Sequence, residues 1–283
     1  MVLNLFLLVK CDKYLIIMKK IFYFLLLVFS ESLFAQDEII IHSPVHLGTN
    51  DTVWILKPAT YDSSKRYPVV YLMHGHGGSY KNYFQDKKFQ DIADLYDFIL
   101  VTPDGFKDCW YIDAPQKGEK QFETFFIQEL LPTVERHYSI DDNNRFITGI
   151  SMGGHGAMWL FLRHPNLFKS AGSCSGVLDL KYSGNVKGSL SRLLGDFAEG
   201  KNKNFCDYSC VSQLENIVGE DKYIYFDCGT EDHLYSAAKL FRERCDILGI
   251  KACSVFSPGK HNGEYFDDAF KAHFAFFAKQ VKR

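Results

Sequence analysis

The stretch Arg145 to Trp159, RFITGISMGGHGAMW, decides how the rest of the chain is read. It runs from a short apolar strand through a glycine-flanked serine into the start of a helix. In Gly149-Ile150-Ser151-Met152-Gly153, the serine is expected on a strained strand-to-helix turn, where only small neighbours leave room and the hydroxyl projects outward. A helix starting at Met152 would aim its unbonded N–H groups and positive dipole end at negative charge forming beside Ser151. An acyl-transfer oxyanion is the natural occupant. Five residues of this kind also arise in ordinary glycine loops, so the flanking sequence has to supply the partners.

Outward from that stretch the chain alternates. Tyr67 to Met73 and Phe98 to Thr102 are short, continuously apolar runs, as in parallel strands covered on both faces. Strands are also expected at Phe168 to Ser173, Lys222 to Cys228 and Ala252 to Phe256. Helices are expected at Lys88 to Tyr96, at Glu119 to Tyr138 with a kink at Pro132, at Leu234 to Leu248, and from Glu264 to about Val281. The pattern predicts an α/β fold, a mostly parallel, doubly wound sheet. Before it, the alternation between Asp37 and Tyr61, broken by Gly-Thr-Asn-Asp at 48–51, predicts an antiparallel meander. Residues 179–219 have weak periodicity and are too long for an ordinary connection, which reads as a small lid insertion.

The chain has 283 residues, 47% of them hydrophobic, enough for one large core over residues 36–283. A formal charge of −2 without a basic run excludes a nucleic-acid partner. Lys19 and Lys20, the apolar run Ile21 to Phe29, and Ser-Glu-Ser-Leu-Phe-Ala ending at Ala35 read as a signal peptide over residues 18–35. That run is well short of the ~20 residues a membrane span needs, so no stable membrane anchor is expected after cleavage, and the product is secreted or periplasmic. Residues 1–17 read as an upstream extension, with Met18 as the start. Seven cysteines follow Ala35. Cys174, Cys228 and Cys253 lie in apolar runs as small buried residues, and Cys206 with Cys210 could pair in an oxidising compartment. No cysteine or histidine spacing suggests a metal site.

A serine hydroxyl needs a base, and the base an orienting carboxylate. In an open parallel sheet both belong in loops after later strands. Two such loops exist, Gly229-Thr230-Glu231-Asp232 and Lys260-His261-Asn262. The order serine, acid, histidine is that of the α/β-hydrolases. The loop His74-Gly75-His76-Gly77-Gly78 after an early strand offers the His76 N–H as an oxyanion donor beside that of Met152.

With HGHGGS at 74–79, VTPDG at 101–105, WYIDAP at 110–115, GISMGGHGA at 149–157, CGTEDHLY at 228–235 and GKHNGEYF at 259–266, the chain resembles the esterase D-like α/β-hydrolases. These include feruloyl esterases, short-chain acyl esterases, S-formylglutathione hydrolases and mycolyltransferases. The resemblance spans almost all of residues 36–283. It implies Ser151 as nucleophile, His261 as base, Asp232 as its orienter, His76 and Met152 as backbone oxyanion donors, and no metal or diffusible cofactor. Glu231 is the rival carboxylate. The Leu-Thr-Cys typical of the S-formylglutathione branch is absent, which favours the secreted feruloyl and acyl esterases. One departure is His233, where relatives usually carry an apolar residue.

Trp110, Tyr111 and Asp113 are candidates for substrate contact, because an aromatic pair on a strand-end loop is costly to expose without purpose. His74 is expected to hold the oxyanion loop, and His155 to pack beneath the sheet edge. The function these readings imply is a secreted serine carboxylesterase acting on a small-molecule or oligosaccharide ester, with feruloyl or acetyl esters of plant polysaccharide in view. The alternatives are acyl transfer to a sugar hydroxyl and a non-catalytic carbohydrate-binding protein.

Overall fold

Two antiparallel strands lead the described chain, β1 (Gln36–Ser43) and β2 (Thr49–Leu56), turning at Gly48, whose φ of 69° suits glycine. The strands β3 (Tyr67–Met73) and β4 (Ile99–Pro103) follow, then β5 (Ile140–Gly149), β6 (Ser170–Cys174), β7 (Tyr223–Gly229) and β8 (Lys251–Ser257). This computed structural model describes residues 36–83, 87–184, 187–198 and 201–281. The expected extension at 1–17 and signal peptide at 18–35 lie outside them. The described residues belong to one compact unit beginning at Gln36.

The eight strands among the described residues form one sheet in the order β1-β2-β4-β3-β5-β6-β7-β8. From β3 to β8 every pairing is parallel, while β2 joins β4 antiparallel. After β3 the chain steps to one side to make β4 and then to the other to make β5. The switch point therefore lies between β3 and β5, where a crevice opens at the carboxyl ends of the strands.

The apolar runs are continuous because both faces are covered. Val69, Tyr71 and Met73 pack on one side with Ile147, Phe122, Phe126 and Trp159, and Val70 and Leu72 on the other with Phe89, Phe146 and Phe274. On the second side helix α1 (Lys87–Tyr96) meets the C-terminal helix, and Phe146 stacks on Phe277 with ring centroids 4.8 Å apart. At the edge, β8 alternates exposed and half-buried residues, so Cys253 is exposed rather than buried as its apolar run suggests.

Helix α2 covers residues 122–137 but is not uniform. Phe122–Phe125 and Leu131–His137 are α-helical, and Phe126–Leu130 forms a wider π-type turn. Pro132 has no N–H to bond back and its ring crowds the preceding turn, which the wide turn relieves. The helix begins at Phe122 rather than Glu119 because the carboxylate of Asp113 accepts the Thr124 N–H at 2.9 Å and its hydroxyl at 2.5 Å. Helices α3 (Met152–Arg163), α4 (Lys187–Leu194), α5 (Tyr235–Leu248) and α6 (Gly263–Ala278) complete the layers. No helix among the described residues is long and apolar enough to cross a membrane.

The described part of residues 179–219 consists of short helical pieces anchored by Leu190, Leu194, Phe205, Leu214 and Ile217, all buried. Cys206 is exposed and Cys210 buried, and both are free thiols. The suggested bridge is not made: Cys210 Sγ faces the His155 carbonyl at 3.4 Å, and Cys206 Sγ faces Ser212 Oγ at 3.5 Å.

His155, on α3, is wholly buried against the rings of Trp159 and Trp110, and its Nε2 donates to the Tyr208 carbonyl at 2.9 Å. Burial pushes its imidazole down to about 4, beyond what backbone hydrogen bonding restores. The folded value lies below the unfolded one of ~6.5, so the unfolded chain takes up the proton first and stability is lost as pH falls. The contribution is complete above pH ~6.5 and disappears towards pH 4, a loss on the order of 3 kcal/mol. Thermal melts from pH 7 to pH 4 should show this decline, and His155→Gln should flatten it; an equal slope in the variant would assign the decline to other groups.

Candidate active site

At the end of β5 the turn is pressed between backbones. A Cβ on Gly149 would lie 2.4 Å from the Gly153 carbonyl oxygen and 2.5 Å from that of Met73, and one on Gly153 only 2.0 Å from the Met73 oxygen. The Ile150 N–H donates to Met73 O at 3.2 Å and the Ser151 N–H to Cys174 O at 2.9 Å, so the turn hangs between β3 and β6. Entering α3 at once from that position forces Ser151 to φ 55° and ψ −114°. L-residues avoid this region, and such strain persists only where surrounding contacts enforce it.

The strained serine meets a base. His261 Nε2 lies 2.9 Å from Ser151 Oγ, and Nδ1 lies 2.7 Å from Asp232 Oδ2. An ionised carboxylate only accepts, so Nδ1 carries the proton and Nε2 is left to receive the serine's. The Asp232 side chain is fully buried, and its Oδ1 accepts the Leu234 N–H at 2.9 Å. Burial pushes this carboxyl up, but hydrogen bonds from His261 and Leu234, the His261 charge and the Ser175 hydroxyl outweigh it and hold the group below the usual carboxylate range. Glu231, the rival, points outward towards Lys260, its side chain 57% exposed. Gly229 to Asp232 form a turn closed by the Asp232 N–H donating to Gly229 O at 3.1 Å, and of its two carboxylates Asp232 is the one turned inward.

Opposite the base lies the loop after β3. A Cβ on Gly75 would be 3.7 Å from the Ser151 Cβ, so this loop runs alongside the nucleophile. Met152 opens α3 and has no carbonyl one turn back to bond. Among the described residues neither its N–H nor that of His76 has a hydrogen-bond acceptor. His74 anchors the loop: its Nε2 accepts the Gly105 N–H at 2.9 Å, and its carbonyl accepts the Tyr111 hydroxyl at 2.9 Å.

Trp110, Tyr111 and Asp113 do not line the site, contrary to their reading as substrate contacts. Both aromatic rings are completely buried. Cβ atoms on Gly105 and Gly156 would lie 2.2 and 2.3 Å from the Tyr111 ring, so the ring fills a slot that only glycines leave. Trp110 donates its indole N–H to Ser189 at 3.1 Å, and both Asp113 oxygens are taken by Thr124. The sequence placed them on a strand-end loop correctly, but a loop can bury its aromatics beneath an insertion.

The cleft over Ser151 has a volume of about 610 Å³. Ile150, Val177 and Phe266 supply its apolar wall, and His76, His233 and Gly184 the rest of the rim. Of the described residues at 179–219 only Ser183 and Gly184 reach it. Ser183 and Gly184 belong to the segment 179–219 read as a lid insertion, whereas no local pattern marks Val177 and Phe266 as wall residues. A cavity of about 390 Å³ adjoins, sharing Gly75, His76, Ile150 and Phe266.

A second hydrogen-bonded chain lies behind the sheet. Thr148 Oγ1 is 2.8 Å from His273 Nδ1, and His273 Nε2 is 2.5 Å from Asp227 Oδ2. All three side chains are buried, so this chain meets no substrate and instead ties the strands before Ser151 and Asp232 to the helix after His261.

The family described as "Putative esterase" matches residues 45–277. An esterase of Mycobacterium tuberculosis is 30% identical over 246 residues, covering 76% of this chain and 53% of the relative. The chain thus spans about half the length of that relative. S-formylglutathione hydrolase of Arabidopsis thaliana is 24% identical over 253 residues, 81% of this chain and 87% of the relative. Among solved structures, a fluorophosphonate-binding serine hydrolase of Staphylococcus aureus superposes with a TM-score of 0.76 at 20% identity, over 87% of this chain and 98% of that one. The shared architecture is the α/β-hydrolase fold.

The contact at Gly153 makes a direct prediction. Its neighbours within 2.6 Å of an added Cβ are all backbone atoms of Met73 and His74, which cannot rotate away. Gly153→Ala should therefore destabilise the protein by roughly 3 kcal/mol or more, visible as a lower denaturation midpoint, whereas Gly263→Ala, with no atom within 4 Å, should stay near the parent.

Proposed function

The chain belongs to the Esterase family, and from that premise we propose that it is a carboxylic ester hydrolase working through an acyl group carried on Ser151. The observation that carries this reading is the continuous relay from Ser151 Oγ through His261 to Asp232, 2.9 and 2.7 Å long, opening into the cleft. As Oγ bonds the ester carbonyl, His261 Nε2 takes the hydroxyl proton and Asp232 stabilises the resulting imidazolium. The tetrahedral oxyanion faces the N–H groups of His76 and Met152, fixed before the reaction starts. His261 then gives its proton to the departing alkoxide, and water repeats the sequence to free the acid.

The proposed substrates are short-chain or aryl acyl esters, with feruloyl and acetyl esters of plant polysaccharide as the natural class. The apolar wall of Ile150, Val177 and Phe266 supports a short or planar acyl group, since it is too small to line a long channel. The adjoining cavity supports a hydroxyl-rich alcohol, because Asn82, Lys88 and Asp267 bring polar groups to its rim. The leader pattern supports action outside the cytoplasm. For that part, mass spectrometry of protein recovered from periplasm or medium should find a chain starting at Gln36; an uncleaved chain retained in the cytoplasm would remove it.

A panel of p-nitrophenyl acetate to octanoate, methyl ferulate, acetylated xylan and S-formylglutathione tests the substrate reading. Turnover should be greatest for acetate or methyl ferulate and decline by octanoate. A steady rise to octanoate, or a clear preference for the thioester, would overturn it. Within the same assay Ser151→Ala should lose ~10⁴-fold or more in kcat and Asp232→Asn ~10³–10⁴-fold, with Glu231→Gln close to the parent.

A further inference from the structure

Asp232 receives two imidazoles, and the relay to Ser151 uses one of them. Nδ1 of His261 lies 2.7 Å from its Oδ2, and Nδ1 of His233 lies 3.2 Å from its Oδ1. The two rings meet edge to face with centroids 4.9 Å apart. They differ in access: the His261 side chain is 24% exposed and the His233 side chain 57%. Gly184 faces the His233 ring across the cleft rim, and even a Cβ there would touch it at 3.7 Å.

These three residues offer one ligand atom each, all within 4.8 Å of one another. A single ion with bonds of about 2.0–2.2 Å to nitrogen and oxygen can gather such atoms through small side-chain rotations. Two imidazoles with one carboxylate, open on one side to solvent, are the donors of a borderline ion such as Zn²⁺; Mg²⁺ and Ca²⁺ want oxygen alone.

We propose that Asp232, His233 and His261 form a reversible inhibitory site for Zn²⁺, in which His233 is a ligand that no step of ester hydrolysis uses. The inhibition rests on the esterase reading; the metal binding does not. Ligation of His261 through Nε2 takes the lone pair that must receive the Ser151 proton. Ligation through Nδ1 replaces its bond to Asp232 and moves the ring proton to Nε2, which then has no lone pair for the Ser151 proton. By either nitrogen, metal occupancy and proton transfer exclude each other, and chelation restores the relay because only coordination bonds have formed.

The test titrates ZnCl₂ into the enzyme hydrolysing p-nitrophenyl acetate, with EDTA added afterwards. The parent should lose activity and regain it, and His233→Phe should need at least ~10-fold more Zn²⁺ for the same fractional loss. The exposed thiols of Cys206 and Cys253 are the competing ligands, so a Cys206→Ser/Cys253→Ser double variant should remain as sensitive as the parent. Independently of turnover, Co²⁺ should give the visible absorption of a low-coordinate nitrogen and oxygen site in the parent and in Ser151→Ala, and lose it in His233→Phe. Equal Zn²⁺ sensitivity of parent and His233→Phe, loss of sensitivity in the cysteine variant, or absence of the Co²⁺ band would each overturn the site. A Co²⁺ band in a protein without hydrolytic activity would keep the metal site and discard the esterase reading.

Discussion

The contact of the Ser151 turn with the end of β3 sets the geometry of the whole catalytic edge. The Gly149 and Gly153 positions meet backbone oxygens at distances no Cβ tolerates, and the Ile150 N–H is bonded to Met73 O. Pressed that closely, the chain can leave β5 only through the positive φ of Ser151, which turns the hydroxyl out of the sheet and brings the first N–H of α3 next to it. The same contact fixes the loop after β3, since Met73 is followed at once by His74 and Gly75. Nucleophile and oxyanion donors thus share one rigid junction, and the proximity is built into the topological switch between β3 and β5.

The acid and base arrive from further along the sheet, and their placement depends on burial. Asp232 sits where burial opposes its charge, and it stays ionised because His261 and the Leu234 N–H bond to it. Behind the sheet, Thr148, His273 and Asp227 make a buried polar tie between the strands that carry the nucleophile and the acid and the helix that follows the base. Gly172 leaves room for it, since a Cβ there would lie 2.3 Å from His273 Nδ1. Each hydrogen bond of this buried network holds its members in one arrangement, because breaking it in a dry interior is costly, while Asp227 Oδ1 is left without a hydrogen-bond partner among the described residues.

Residue patterns showed the alternation of strands and helices because each element's periodicity is local: continuous apolar runs for β3 and β4, helical spacing for α2 and α6. They also showed the loops that bear Ser151, Asp232 and His261, because chemistry demands particular residue types at strand ends. They could not show which aromatics of Trp110-Tyr111 face solvent. That depends on Gly105 and Gly156 forming a slot around Tyr111 and on Ser189 meeting Trp110, residues distant in sequence. For the same reason Cys206 and Cys210, four positions apart, look like partners and face opposite environments.

By itself the sequence determined the α/β class, the strained serine turn, and the order of nucleophile, acid and base, since each is written in neighbouring residues and in the polar loops that end apolar strands. Only the tertiary structure decided that Asp232 rather than Glu231 turns inward, that Val177, Gly184 and Phe266 wall the cleft, and that His233 shares the acid with His261. These are contacts between segments tens of residues apart. The packing of the sheet and its insertions brings them together, and no local periodicity records it.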